Sequence, residues 1–235
     1  MLQNLGQYTR YLERLPNTLA HEMHNPLNVV NSSLENLERN HQELVNNEYL
    51  GRARNGILRL RNILTSLTEA ANLKDGLESE KEQTERFDLA TLVSGCVDGY
   101  QSIHTDYRII YETPSEAVPV DGSPDHIAQM LDKLVDNAVA FGRAGGDVVV
   151  RVRREGQAAR LSVVNWGSTL PADIANRLFD PMVSSSKDAR RSHLGLGLYI
   201  ARIIAEFHGG TVSASNRKAN DGVEVTVSLP LSPRS

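Results

Sequence analysis

The chain has 235 residues, 40% of them hydrophobic, a net charge of -4 at pH 7 and one cysteine, Cys96. That length holds one large domain or two small ones with a real core, and the mild negative charge gives no reason to expect nucleic acid or an anionic membrane as partner. A single thiol excludes disulfides within the chain and suits a reducing compartment.

No apolar run approaches the roughly 20 residues that cross a bilayer, and no signal peptide follows Met1, so a cytoplasmic chain is expected. Helical pattern begins almost at once, as it would in a piece of a longer protein that could carry a further region or a membrane anchor upstream.

From Leu5 the apolar positions run Leu5, Tyr8, Leu12, Leu15, Leu19, Met23, Leu27, Val30, Leu34, Leu37 and Leu44. Steps of three and four are the seam of a coiled coil or helical bundle. After the polar break at Val45–Glu48 the seam resumes through Leu50, Ala53, Ile57, Leu60, Leu64, Leu67 and Ala71. A lone hairpin cannot cover both apolar stripes, so residues 1–75 are expected to pair with a second copy as a homodimeric four-helix bundle.

Residues 76–86, "GLESEKEQTER", carry no seam and read as a linker; 87–235 follow a different grammar. "FDLATLVSGCV" predicts a short strand and a helix, and "DYRIIYETP" a strand. Ser123 caps a helix with Pro124 in its first turn. Two β-branched strands flank Glu155-Gly156. A helix at Pro171–Leu178, another at Leu198–Phe207 and strands at "TVSASN" and "GVEVTVSLPL" complete an α/β sandwich. The fold class is α+β, a helical hairpin followed by this sandwich.

Within the first helix stands "HEMHNPL", His21 to Leu27. His21 lies two residues from the seam positions Leu19 and Met23, and each step of two rotates about 200° around the helix. His21 is therefore expected to face away from the bundle core, with Asn25 one turn on along the same face and Pro26 loosening the helix just beyond. His24 reads as ordinary helix surface. A neutral imidazole is a usable nucleophile toward a phosphoryl group, and Glu22 beside it can take up the proton or hold the tautomer.

"HEMHNPL" resembles the phosphoacceptor box of sensor histidine kinases of two-component systems, His-Glu-x-x-Asn/Thr-Pro-Leu on the first helix of a dimeric hairpin. His21, Glu22, Asn25, Pro26 and Leu27 match it. The resemblance implies that His21 accepts the phosphoryl group, and that Asn25 orients a water when a response regulator is dephosphorylated.

Four further patches resemble, in order, those of the GHKL ATP-binding fold of histidine kinases and of gyrase- and Hsp90-type ATPases. In "QMLDKLVDNA", Gln129, Lys133 and Asn137 share one helical face, while Met130, Leu131, Leu134, Val135 and Ala138 supply a buried one. The resemblance makes Asn137 the ligand of the magnesium ion that bridges the ATP phosphates. In "VVNWGSTLP" the family's Asp-x-Gly-x-Gly is altered: Asn165 replaces the aspartate that accepts from the adenine amine, Gly167 is kept, and Thr169 replaces the second glycine. "LFDPMVSSS" resembles the segment that opens the ATP lid, with Phe179 matching and Met182 in place of a second phenylalanine. In "HLGLGLYIARIIAEFHGG", Gly195, Leu196 and Gly197 lead into a helix whose N–H groups suit phosphate.

Lys133 stands where an asparagine is usual and Ala140 where a lysine is usual, which suggests Lys133 as the cation for the phosphates; Lys187, Arg190 and Arg191 lie in the lid loop. The last two patches also look like those of histidine kinases associated with proteobacterial sortase systems. The expected function is ATP-dependent autophosphorylation on His21 and transfer to an aspartate of a response-regulator receiver domain, with phosphatase activity. A degenerate kinase, acting mainly as phosphatase or dimeric scaffold, stays open because of Asn165 and Thr169.

Overall fold

The computed structural model describes residues 17–44, 46–79, 84–181, 183, 195–219 and 221–233. The seam positions Leu5, Tyr8, Leu12 and Leu15, the lid residues Met182 and Ser184–Ser186, and the cations Lys187, Arg190 and Arg191 lie outside the described residues, as do the side chains of Leu19 and His21. The chain divides into two compact units between Gly76 and Leu77.

The first unit is a helical hairpin. Helix α1 spans Asn17–Asn40, a single 3-10 turn spans Gln42–Leu44, and α2 runs Glu48–Ser79. Asn47 caps α2: its Oδ1 accepts from the backbone N–H groups of Tyr49 at 2.9 Å and Leu50 at 3.3 Å. Glu38 and Arg54 form an ion pair across the hairpin at 2.5 Å.

The seam separates into two rows. Ile57, Leu64, Ala70 and Leu73 are buried on α2, and Leu27 and Leu34 are half-buried on α1. Met23, Val30 and Leu37, spaced by seven, remain 47%, 48% and 43% exposed, and Leu60 49%. No helix among the described residues is long and apolar enough to cross a membrane.

The second unit is the sandwich. Strand β1 (Glu85–Asp88) leads into helix α3 (Leu89–Ile103), and the stretch read as linker thus contributes helix at its start and strand at its end. Asp88 caps α3 through Ala90, Thr91 and the Thr91 hydroxyl, and also accepts from the Val118 N–H at 2.7 Å. Strands β2 (Arg108–Glu112) and β3 (Pro119–Gly122), helix α4 (Pro124–Phe141), strands β4 (Asp147–Glu155) and β5 (Ala158–Trp166), the short helix α5 (Ala172–Ala175), helix α6 (Gly197–Phe207), and strands β6 (Thr211–Asn216) and β7 (Gly222–Pro230) follow.

The main sheet has the order β2-β4-β5-β7-β6, parallel only between β2 and β4, and β1 pairs with β3 in a separate two-stranded sheet. Alternate residues of the central strands, Val148, Val150 and Val152 with Leu161, Val163, Val225 and Val227, are nearly or wholly buried. The apolar faces of α3, α4 and α6, including Val93, Ile127, Leu134, Ile200 and Ile204, are buried likewise and complete the core. This period of two in the strands against three to four in the helices is what the sequence pattern demands.

Two expectations change. The helix expected at Pro171–Leu178 is only Ala172–Ala175, because Pro171 supplies no side-chain cap and the chain turns at Asn176. Strand β3 was not anticipated: it is four residues beginning with proline, and its partner β1 lies more than thirty positions away in the register Glu85–Gly122.

Candidate functional site

Helix α1 carries "HEMHNPL" without interruption, Pro26 included. Pro26 has no N–H, so the Glu22 carbonyl lacks its ordinary helical donor one turn back. Glu22 and Asn25 are exposed, and His24 is half-buried.

Helix α4 starts on a Ser123 cap, whose hydroxyl accepts from the His126 N–H at 3.4 Å. Its faces separate as the spacing predicts. Met130, Leu131, Leu134, Val135 and Ala138 are almost wholly buried, and Gln129, Lys133 and Asn137 form a half-buried polar row.

The end of α4 is bound to the end of β5. Gly142 and Gly167 form a β-bridge, and the Arg143 N–H donates to the Trp166 carbonyl at 2.7 Å. Gly167 has φ +153°, and a Cβ there would lie 2.6 Å from the Phe141 carbonyl oxygen. Only glycine allows that approach. Asn165 is thereby held one turn of helix and a bridge away from Asn137. It sits between Val148 and Val223 in the sheet register and is 2% exposed. Among the described residues its Nδ2 has no acceptor. A buried donor left unpaired costs about 1–3 kcal/mol, so this amide is ready for a ligand.

Gly195 adopts φ +67°, and a Cβ on it would lie 1.9 Å from the Val183 carbonyl oxygen. A Cβ on Gly197, two residues later at the start of α6, would be 3.8 Å from Lys133 Cβ. The glycine pair therefore draws α6 against the polar row of α4 and sets Lys133 beside its N-terminal turn. Leu196 is 1% exposed, so what it can offer a ligand is its backbone. Phe179 is half-buried in a turn tethered to α6, where Asp180 accepts from Arg202 at 3.1 Å.

His208, at the end of α6, joins the two helices that frame the site. Its Nε2 accepts from the Ser123 N–H at 3.0 Å and its Nδ1 bonds the Ile204 carbonyl at 2.7 Å, which sets the neutral Nδ1–H tautomer. Gly122 makes room for the ring, since a Cβ there would meet His208 Cδ2 at 2.2 Å. Burial lowers the His208 pKa below its ordinary value. The signal missed in the sequence was an apolar helix ending in histidine next to two glycines. Trp166, beside Asn165, carries the Arg217 guanidinium over its ring at 3.8 Å, a contact no local spacing announces.

Known proteins match this arrangement. The histidine kinase-, DNA gyrase B- and HSP90-like ATPase family matches residues 122–233, which hold α4, β5, the glycine pair and α6. The adaptive-response sensory kinase SasA of Crocosphaera subtropica is 24% identical over 89% of this chain and 57% of its own, and the sensor protein ChvG of Rhizobium meliloti 25% identical over 94% and 41%. The chain is similar to sensor histidine kinases over nearly its whole length, and its residues 122–233 match that ATPase family. It spans about half the length, or less, of these curated relatives. Among solved structures, the catalytic domain of histidine kinase ThkA is 25% identical over 64% of this chain and 99% of its own, with a TM-score of 0.56. The structure of ThkA in complex with response regulator protein TrrA covers 98% of this chain and 65% of that one, at TM-score 0.64 and 24% identity, a likeness of fold.

The residues present fit ATP and magnesium. Asn165 presents an unpartnered buried amide, and Lys133 stands at the α6 N-terminus. Among the described residues no three His, Cys, Asp or Glu side chains cluster to hold a metal. A single amide oxygen, that of Asn137, suits an ion that keeps several waters and takes its remaining ligands from phosphates.

Proposed function

We propose that this chain is the cytoplasmic catalytic core of a sensor histidine kinase, with residues 1–75 as the dimerising phosphotransfer hairpin, 76–86 as linker and 87–235 as the ATP-binding domain. One observation carries the reading: a helix bearing His21 and an ATPase-family domain follow each other in the order of sensor kinases that align with 89–94% of the chain.

In this mechanism the bond between the γ-phosphorus and the ADP oxygen breaks, a P–N bond to the His21 imidazole forms, and ADP leaves. Glu22 takes the proton that the ring gives up, or fixes the attacking tautomer beforehand. Lys133 and the N–H groups at Gly195–Gly197 hold the phosphates, Phe179 opens the lid, and Asn165 and Gly167 seat the base. Asn137 would hold Mg2+, which neutralises the charge developing on the phosphates. The group then passes to an aspartate of a response-regulator receiver domain. Asn25, exposed one turn from His21, positions the water that removes it.

The test is incubation with γ-labelled ATP and Mg2+. His21 alone should take up an acid-labile, base-stable label; His21→Ala should lose it and His24→Ala should keep it. Label that survives in His21→Ala and disappears in His24→Ala overturns the assignment. A second reading, a kinase that mainly dephosphorylates its regulator, is favoured by Asn165 in the aspartate's place; it requires regulator dephosphorylation without detectable self-labelling.

A further inference from the structure

The base pocket of this family is built on a carboxylate, which only accepts hydrogen bonds, and here the position holds an amide. An amide carries one acceptor and two donors on a flat group that offers a different edge when turned by 180°. Asn165 is 2% exposed, and among the described residues nothing accepts from its Nδ2. A hydrogen-bonded amide would be locked in one orientation; this one is not.

Its backbone, by contrast, cannot move. Asn165 is paired on both sides, with Val148 of β4 and Val223 of β7, and Gly222 approaches so closely that a Cβ there would lie 2.0 Å from the Asn165 carbonyl oxygen. A base entering the pocket meets a side chain fixed in place but free to exchange donor for acceptor.

We propose that Asn165 makes this pocket permissive at position 6 of a purine, so that it takes 6-oxopurine nucleotides, guanosine and inosine triphosphates, alongside ATP. The inference rests on the nucleotide-site reading above. With adenine, Oδ1 accepts from the exocyclic amine and Nδ2 donates to the ring acceptor N1. With guanine or hypoxanthine the amide turns over: Nδ2 donates to O6, and Oδ1 accepts from N1–H. A carboxylate makes the first arrangement and opposes the second, because it sets acceptor against acceptor at O6. The turn exchanges groups of nearly equal size, so the surrounding valines need not repack.

Calorimetry with the non-hydrolysable analogues of ATP, GTP and ITP, each with Mg2+, tests this on the intact chain. The parent should bind all three analogues within about tenfold of one another; loss of the GTP analogue alone overturns the proposal for guanosine triphosphate, the 2-amino group then being excluded, and upholds it for inosine triphosphate. Asn165→Asp should tighten the ATP analogue and weaken the 6-oxo analogues, widening the ratio by about tenfold or more. A parent that binds the ATP analogue and rejects both 6-oxo analogues by about a hundredfold overturns the proposal, and so does a ratio unchanged in a folded Asn165→Asp. If Asn165→Asp does not fold, the parent ratio decides alone. A parent that binds none of the three fails the nucleotide-site reading itself.

Discussion

Gly195 packs directly on Val183: the carbonyl oxygen of one occupies the space a Cβ would need on the other, 1.9 Å away, and Gly195 holds φ +67°. Gly195→Ala brings a left-handed penalty of about 1–2 kcal/mol together with a backbone clash that no rotamer relieves. It should lower the melting temperature and weaken an ATP analogue by about tenfold or more, read by thermal denaturation and calorimetry. Unchanged affinity would separate the glycine from the phosphate site.

Asn25 and His21 are one helical turn apart, and Asn25 is exposed. On the proposed reading, Asn25→Ala should leave self-labelling from γ-labelled ATP largely intact and slow dephosphorylation of a response regulator, since an amide that only positions a water would take no part in the transfer to His21. Equal loss of both activities would mean that it shapes the helix instead.

Met23, Val30 and Leu37 form an exposed apolar row at seven-residue spacing on α1. A row of that period is the seam of a helical bundle, and a second hairpin would cover it. Val30→Glu should therefore convert a dimer to a monomer in sedimentation while the ATP-binding unit keeps its melting transition. A parent chain that sediments as a monomer removes the four-helix bundle from the proposal.

His208 adds a pH dependence to the stability of the ATP-binding unit. Its ordinary value is 6.5, and burial holds it lower in the fold, where Nε2 accepts from Ser123 N–H. Well above pH 6.5 both states carry a neutral ring and the contribution is level. As the pH falls through 6.5 the unfolded chain binds a proton that the folded ring refuses, so the unfolded state binds more protons and stability drops until the lower folded value is passed. Melting curves between pH 7.5 and about 5 should show this loss in the parent and a shallower one in His208→Gln. Equal slopes would assign the loss to carboxylates.

Helices and strands whose periodicity is local are legible in the sequence alone. The apolar face of α4 and the β-branched pair β4–β5 follow from burial at periods that a window of residues contains, as does the α6 helix behind its glycines. The His21 motif and the family of residues 122–233 were legible for the same reason: they are contiguous runs of residue types with fixed chemistry. The tertiary structure decided what depends on partners far apart in the chain. Strand β3 exists because β1 pairs with it, and no pattern within "PVDG" says so. His208 became a strut only when Gly122 and Ser123 were brought against it from more than eighty residues away. The split of one α1 seam into half-buried Leu27 and Leu34 and exposed Met23, Val30 and Leu37 likewise needed the hairpin in place. Whether the amide of Asn165 would find a partner for its NH2 was a question of burial and register, set by β4 and β7, and neither strand is adjacent to it in the motif. Local periodicity specifies elements; long-range packing decides which polar groups are left for a ligand.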